Sequence, residues 1–264
     1  MADFRELLSS KKLKAGTFIG EFDASGMAAI LKSAGCDFAF VDMEHSGFSF
    51  QTAKALLRSL RSAGIATLIR PPSKSRRDLS LACDIGAEGV MPPMLESEEQ
   101  ARACLDAVKY HPEGTRGCAF GIAHDDYRPA PVSDAIETAN RKTSFVALIE
   151  SSEGVANCDA IAATPGVDCL WIGHFDLSAS LGIPGEFENP VFKEAVAAVM
   201  QAAARHGKSA GRLVASAEEG VELFREGNDF ICYLGDVWLL QRALSSGISA
   251  IRRGVPDGEL AGRG

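Results

Sequence analysis

Acidic, basic and imidazole side chains recur where apolar runs of this sequence end. Asp42, Glu44 and His45 follow one run, Arg70 ends the next, Glu150 ends another, His174 and Asp176 follow a fourth, and Arg212 sits late in a fifth. Each has a bland explanation on its own. Asp42 or Asp176 could cap a turn, and Arg70 could pair with a surface carboxylate. Their concentration at one end of the runs, with no comparable set expected at the other, points to a shared site.

Glu150 and Asp176 form the best metal-ligand pair, because a lone carboxylate leaving an apolar strand is costly to bury without a cation. Two carboxylates with positions open to water and substrate suit a hard octahedral ion such as Mg²⁺ or Mn²⁺. The three-histidine and cysteine-rich sets that zinc prefers are not present. His45 is the best base, since its ring titrates near neutral pH. Arg70 would place fixed positive charge where an enolate or carboxylate develops. Schiff-base chemistry would need a lysine desolvated near a strand end. Lys54, Lys74, Lys109, Lys142 and Lys193 fall in helical or loop contexts, and Lys208 precedes its strand, so the metal route is favoured. His206 and His111 read as structural, whereas His124 lies in a long loop and could serve either purpose.

Eight apolar runs carry these groups: 17–22, 37–43, 66–71, 88–94, 145–150, 168–173, 209–214 and 229–235. Runs apolar on both faces suit parallel strands covered by helices. Helical periodicity separates them, as in Ala53, Leu56, Leu57 and Leu60, or Phe192, Val196, Val199, Met200 and Ala203. Ser97 with Gln100 and Ser216 with Glu219 have the spacing of capping boxes. Some eight strand–helix units predict an α/β chain closed as a (β/α)₈ TIM barrel, with the active site at the C-terminal ends of the strands. The segment IGEFDASGM lacks the dinucleotide-binding glycine spacing of an open sheet. One barrel domain is expected over 1–253, with a disordered tail over 254–264.

The chain's 264 residues match the roughly 250 typical of such a barrel. A net charge of -8 argues against nucleic-acid and anionic-membrane partners. Lys11, Lys12 and Lys14 read as a short exposed run. No signal-like or membrane-spanning stretch is visible, and the seven cysteines lack metal-type spacing. Buried reduced thiols in a cytoplasmic protein are the expectation.

The segments GCDFAFVDMEH, IRPP, LACDIGAEGVMPPM, YHPEGTRG, VALIESSEGV, GVDCLWIGHFDLSASLG and SAGRLV resemble the HpcH/HpaI aldolases over Gly16 to Arg253. These are class II pyruvate aldolases, such as 4-hydroxy-2-oxoheptanedioate aldolase and 2-dehydro-3-deoxyglucarate aldolase. The resemblance implies reversible cleavage of a 4-hydroxy-2-oxo acid to pyruvate and an aldehyde through a metal-bound enolate. It assigns a divalent ion (Mg²⁺, Mn²⁺ or Co²⁺) to Glu150 and Asp176, and the acid/base work to His45 with Asp84. Arg70 would contact the keto oxygen, and Asp42 would lie near metal-bound waters. Backbone amides around Gly173 and Phe175 would hold the pyruvate carboxylate. The C-terminal helix, VWLLQRALSSGISAIRR, would be exchanged between subunits of a homo-oligomer, a trimer of dimers.

Three departures from the family pattern bear on the aldehyde. His174 stands where proline is usual, Leu148 where many members have glutamine, and the loop CAFGIAHDDYRP differs from its relatives. Two readings of the His174 ring stand side by side: it turns outward or against a neighbouring subunit, or with His124 it lines the aldehyde side and favours a polar or hydroxylated acceptor. The alternatives are a related metal-enolate lyase or hydrolase of citramalyl or oxaloacetate type, and a non-catalytic keto-acid-binding barrel.

Overall fold

A computed structural model describes residues 3–255. Eight parallel strands close into a barrel in sequence order: β1 (Lys14–Ile19), β2 (Phe38–Asp42), β3 (Ala66–Arg70), β4 (Gly89–Val90), β5 (Ser144–Ile149), β6 (Cys169–Ile172), β7 (Ser209–Val214) and β8 (Phe230–Gly235). Seven of the eight apolar runs start within one residue of their strands, although β4 is cut to two residues because Pro92 and Pro93 have no N–H for the ladder.

Strand β1 is the exception. It starts three residues ahead of its run because Lys14, read from sequence as exposed, is buried at 2% relative exposure. Its ammonium donates to Asp229 Oδ2 and the Ser10 carbonyl, both at 2.6 Å, and lies over the Phe230 ring. This lysine sits at the strand beginnings, away from the end where the chemistry is expected.

Alternation splits the core in two. Phe38, Phe40, Leu68, Met91, Val146, Leu148, Cys169, Trp171 and Phe230 point inward and fill the barrel. Their neighbours Ala39, Val41, Ile69, Val90, Ala147, Ile149, Leu170 and Ile172 point outward against the helices. The short helix Phe4–Leu8 plugs the N-terminal end, where Phe4 stacks on Phe230 at 5.1 Å and meets Phe38 edge-on. Full burial of that ring is worth about 1.5–3 kcal/mol.

The N-terminal ends of the strands carry a polar set of their own, contrary to the expectation that one end would be bare. Asp37, Glu88, Asp168 and Asp229 each precede an even-numbered strand. Each accepts the N–H of the second residue of the preceding odd strand: Ala15, Thr67, Phe145 and Ala210, at 2.8–3.0 Å. Two residues before each carboxylate lies a glycine at positive φ: Gly35, Gly86, Gly166 and Gly227. The barrel is thus four strand–helix–strand quarters latched alike at the base. The G-x-[DE] repeat that encodes this is visible in the sequence once the strands are known.

The expected capping serines are in place. Ser97 accepts from Gln100 N, and Ser216 from Glu219 N. The last helix, Asp236–Gly254, runs one residue past the expected domain end, and the tail from residue 256 lies outside the described residues. No described helix is long and apolar enough to cross a membrane.

Candidate active site

The C-terminal ends of the strands surround a cavity of about 450 Å³. That volume lies within the range of small-molecule sites. His45, Arg70, Glu150, Gly173, His174, Phe175 and Asp176 all line it. Positions 42, 70 and 150 continue the inward-facing alternation of β2, β3 and β5, so polar groups replace the barrel's apolar layers only at this end.

Glu150 is 3% exposed. Its Oε1 accepts the Met94 N–H at 2.7 Å. A Cβ at Gly173 would lie 2.5 Å from Glu150 Oε2, so glycine is what leaves room for the carboxylate there. Burial raises the Glu150 pKa to about 7, against the Met94 hydrogen bond and Arg70; the charges of Asp176 and Glu44 raise it further. A carboxyl so placed gains from a cation beside it. Asp176 lies in the first turn of the helix His174–Ser180, on the same rim. Among the described residues no three His, Cys, Asp or Glu cluster to hold an ion. Glu150 and Asp176 are carboxylates on one rim of the cavity, oxygen donors of the kind a hard divalent ion takes.

Arg70 is held rather than free. Its Nε donates to Asp42 Oδ1 at 2.7 Å, and Nη1 lies 3.1 Å from Glu44 Oε2. Asp42, fully buried, also accepts the N–H groups of Glu44 and His45 at 3.1 Å each. Its carboxylate is not among the groups lining the cavity; it braces Arg70 and the loop that carries Glu44 and His45. His45, its side chain 62% exposed, stands over the mouth with Nε2 3.8 Å from Glu44 Oε2. Glu44 Oε2 is itself buried without a well-aligned hydrogen bond. Burial raises the Glu44 pKa more than Arg70 and His45 lower it. The D-x-E-H spacing holds Glu44 beside His45, and the contact with Arg70 gives it a part in the site that spacing alone does not show.

Other expected members lie elsewhere. Asp84 ends the helix Arg76–Asp84, which runs from the mouth back toward the strand beginnings, and it pairs there with Arg116. One chain does not bring Asp84 to His45. Arg212 points outward, its guanidinium 5.4 Å from the Phe192 ring. His124 lies in a separate, larger cavity of about 730 Å³, between the helices Phe50–Ser62, Arg76–Asp84 and Val132–Lys142. There its Nε2 meets the Ala119 carbonyl at 2.7 Å, so it does not accompany His174.

His174 is 8% exposed. Its ring packs 4.3 Å from Phe175 and 5.1 Å from Phe187. Burial, aided by Arg212, pushes its pKa down to about 3, so the ring is neutral. The Gly173 amide is not available to a substrate either, because it donates to the Ile149 carbonyl at 3.1 Å. The amides that follow it open the helix His174–Ser180, where first-turn N–H groups have no intrahelical acceptor.

The model of the HpcH/HpaI aldolase/citrate lyase family matches residues 14–238, the whole barrel. The chain belongs to that family. It is 33% identical to a hydroxypyruvate/pyruvate aldolase of Chromohalobacter salexigens, over 86% of this chain and 89% of that one. It is 29% identical to a 5-keto-4-deoxy-D-glucarate aldolase of Shigella boydii, over 91% and 92%. The crystal structure of an HpcH/HpaI aldolase from Desulfitobacterium hafniense superposes with a TM-score of 0.92 at 30% identity, covering 98% of this chain and all of that one. With aldolase relatives this similar along nearly their full length, the chain is a carbon–carbon lyase.

Proposed function

We propose that this family member reversibly cleaves a 4-hydroxy-2-oxo acid to pyruvate and an aldehyde, with a divalent ion held by Glu150 and Asp176. The observation that carries the reading is the buried, high-pKa Glu150 facing the mouth beside Asp176 and Arg70. When bound there, Mg²⁺, Mn²⁺ or Co²⁺ would supply Lewis-acid polarisation of the 2-keto group.

The chain's own residues account for the rest. Arg70, braced by Asp42 and Glu44, holds positive charge where negative charge collects on the keto oxygen as the C3–C4 bond breaks. The amides of His174 and Phe175 at the helix start face the substrate carboxylate. His45, exposed at the mouth and anchored through its own N–H to Asp42, takes the 4-hydroxyl proton and returns it to C3. A part for Asp84 in that transfer requires a second copy of the chain. The exposed stripe Leu240, Leu244, Ile248 and Ile251 on the last helix supports a homo-oligomer.

Pyruvate release from a 4-hydroxy-2-oxo acid tests the reading. It should stop on chelation, return with Mg²⁺ or Mn²⁺, and leave no borohydride-trapped adduct. A trapped imine would contradict it.

A further inference from the structure

The loop that follows β4 aims the Glu150 carboxylate. Glu150 Oε1 accepts the Met94 N–H at 2.7 Å, and Met94 lies at φ 51°, in the left-handed region that residues with a Cβ avoid. Beyond Met94 the loop is fastened to the end of β5. There the Leu95 N–H donates to the Leu148 carbonyl at 3.1 Å, Ser151 Oγ to Glu96 Oε1 at 3.0 Å, and Asn157 Nδ2 to the Glu96 carbonyl at 2.7 Å. Before Met94 stand Pro92 and Pro93, which have no N–H with which to fasten it.

A side chain from the neighbouring loop holds Met94 from outside. Lys74, between β3 and the helix Arg76–Asp84, donates to the Met94 carbonyl at 2.6 Å and to Gln100 Oε1 at 2.8 Å. Gln100 Oε1 also accepts the Glu96 N–H at 3.2 Å, so the ammonium holds the loop directly at Met94 and through Gln100 at Glu96. The peptide between Met94 and Leu95 is thus pinned at both ends, by Lys74 on its carbonyl and by Leu148 on its N–H. With the carbonyl freed, the peptides flanking Met94 can tilt toward the negative φ that an L-residue prefers, and the Met94 N–H turns away from Glu150. Lys74 does not line the cavity, and these contacts all lie within one chain.

We propose that Lys74 is a positioning residue for divalent-ion binding: by gripping the Met94 carbonyl it keeps Met94 left-handed and its N–H on Glu150 Oε1, and so fixes the carboxylate that serves as ligand. The inference rests on the assignment of the ion to Glu150 and Asp176 and adds a residue that touches neither ion nor substrate. Hydrogen bonds that orient a ligand in this way govern metal affinity by about 10–100-fold. A lysine for which imine chemistry has no use thereby gains a part in the metal route.

The test is Mn²⁺ titration calorimetry on the full-length, metal-free protein, with thermal unfolding in chelator to confirm that each variant is folded. Lys74→Met keeps most of the stem and removes the donors, and it should weaken Mn²⁺ binding by about tenfold or more. In a Met94→Gly background a left-handed φ carries no penalty, so the same change should weaken binding by less than about threefold. A merely structural lysine would move the melting temperature and leave Mn²⁺ affinity alone, or act equally in both backgrounds. Glu150→Ala, run beside them, should abolish binding. Wild-type Mn²⁺ affinity in Lys74→Met, or an equal loss in both backgrounds, would overturn the inference while the Glu150→Ala result leaves the metal assignment standing. No Mn²⁺ binding by the wild type, or wild-type binding by Glu150→Ala, would overturn the metal assignment and the inference with it.

Discussion

A single methyl group at position 173 would probe whether the cradle around Glu150 is what builds the site. In Gly173→Ala the new Cβ would lie 2.5 Å from Glu150 Oε2 and 2.6 Å from Glu150 Cβ, whereas ordinary contact begins at 3.4 Å. The shortfall, 3.4 minus 2.5, is about 0.9 Å, and neither group can yield freely. Glu150 Oε1 is tethered to Met94, and Gly173 N to Ile149. Overpacking of this kind costs about 1–3 kcal/mol. In a chain of this length each kcal/mol corresponds to roughly 2–4 °C of melting temperature. Displacing the carboxylate should also weaken divalent-ion binding by about 10–100-fold. Thermal unfolding in chelator reads the first effect, and Mn²⁺ titration calorimetry the second. Repeating the change in a Glu150→Gly background removes both clashing atoms, so the stability cost should largely vanish. Wild-type Mn²⁺ affinity in Gly173→Ala, or an equal stability cost in both backgrounds, would refute the reasoning.

Further outcomes follow from the same geometry. Because folding lowers the His174 pKa from 6.5 to about 3, the folded state binds fewer protons than the unfolded one below pH 6.5. Stability should fall by about 2 kcal/mol between pH 7 and pH 5 from this group alone. Urea unfolding of metal-free wild type and His174→Phe checks this, and identical pH slopes would contradict it. Asp236→Ala strips the acceptor from the loop N–H groups of Gly20, Glu21 and Phe22 and should cost about 2–3 kcal/mol. An unchanged melting temperature would count against the latch. Truncation before Asp236 should dissociate the oligomer in sedimentation velocity, whereas a monomeric full-length protein would contradict the assigned helix stripe.

The barrel was legible because its strands are apolar on both faces and because the groups that break that pattern, Arg70 and Glu150, stand at their ends. Lys14 reads as exposed because sequence shows its charge but not Asp229, 215 residues away, which neutralises it. The family resemblance implies a place for Asp84 in the site, and a long loop leaves one open for His124. The direction of a helix placed Asp84 at the far end of the barrel, and the larger outer cavity holds His124. The position of Arg212 along its strand puts it at the rim, whereas alternation turns its side chain outward. Glu44 and Lys74 gained their places through contacts with Arg70 and Met94, which no local pattern encodes.

The measurement closest to the central claim is loss of the pyruvate methyl signal by proton NMR in D₂O, which reports enolate formation without any aldehyde. With Mg²⁺ or Mn²⁺ the wild type should exchange the C3 protons, and exchange should cease in chelator and in Glu150→Ala and Asp176→Ala variants that remain folded. Exchange that persists in chelator, or in both variants, would contradict a metal-assisted enolate site built on Glu150 and Asp176.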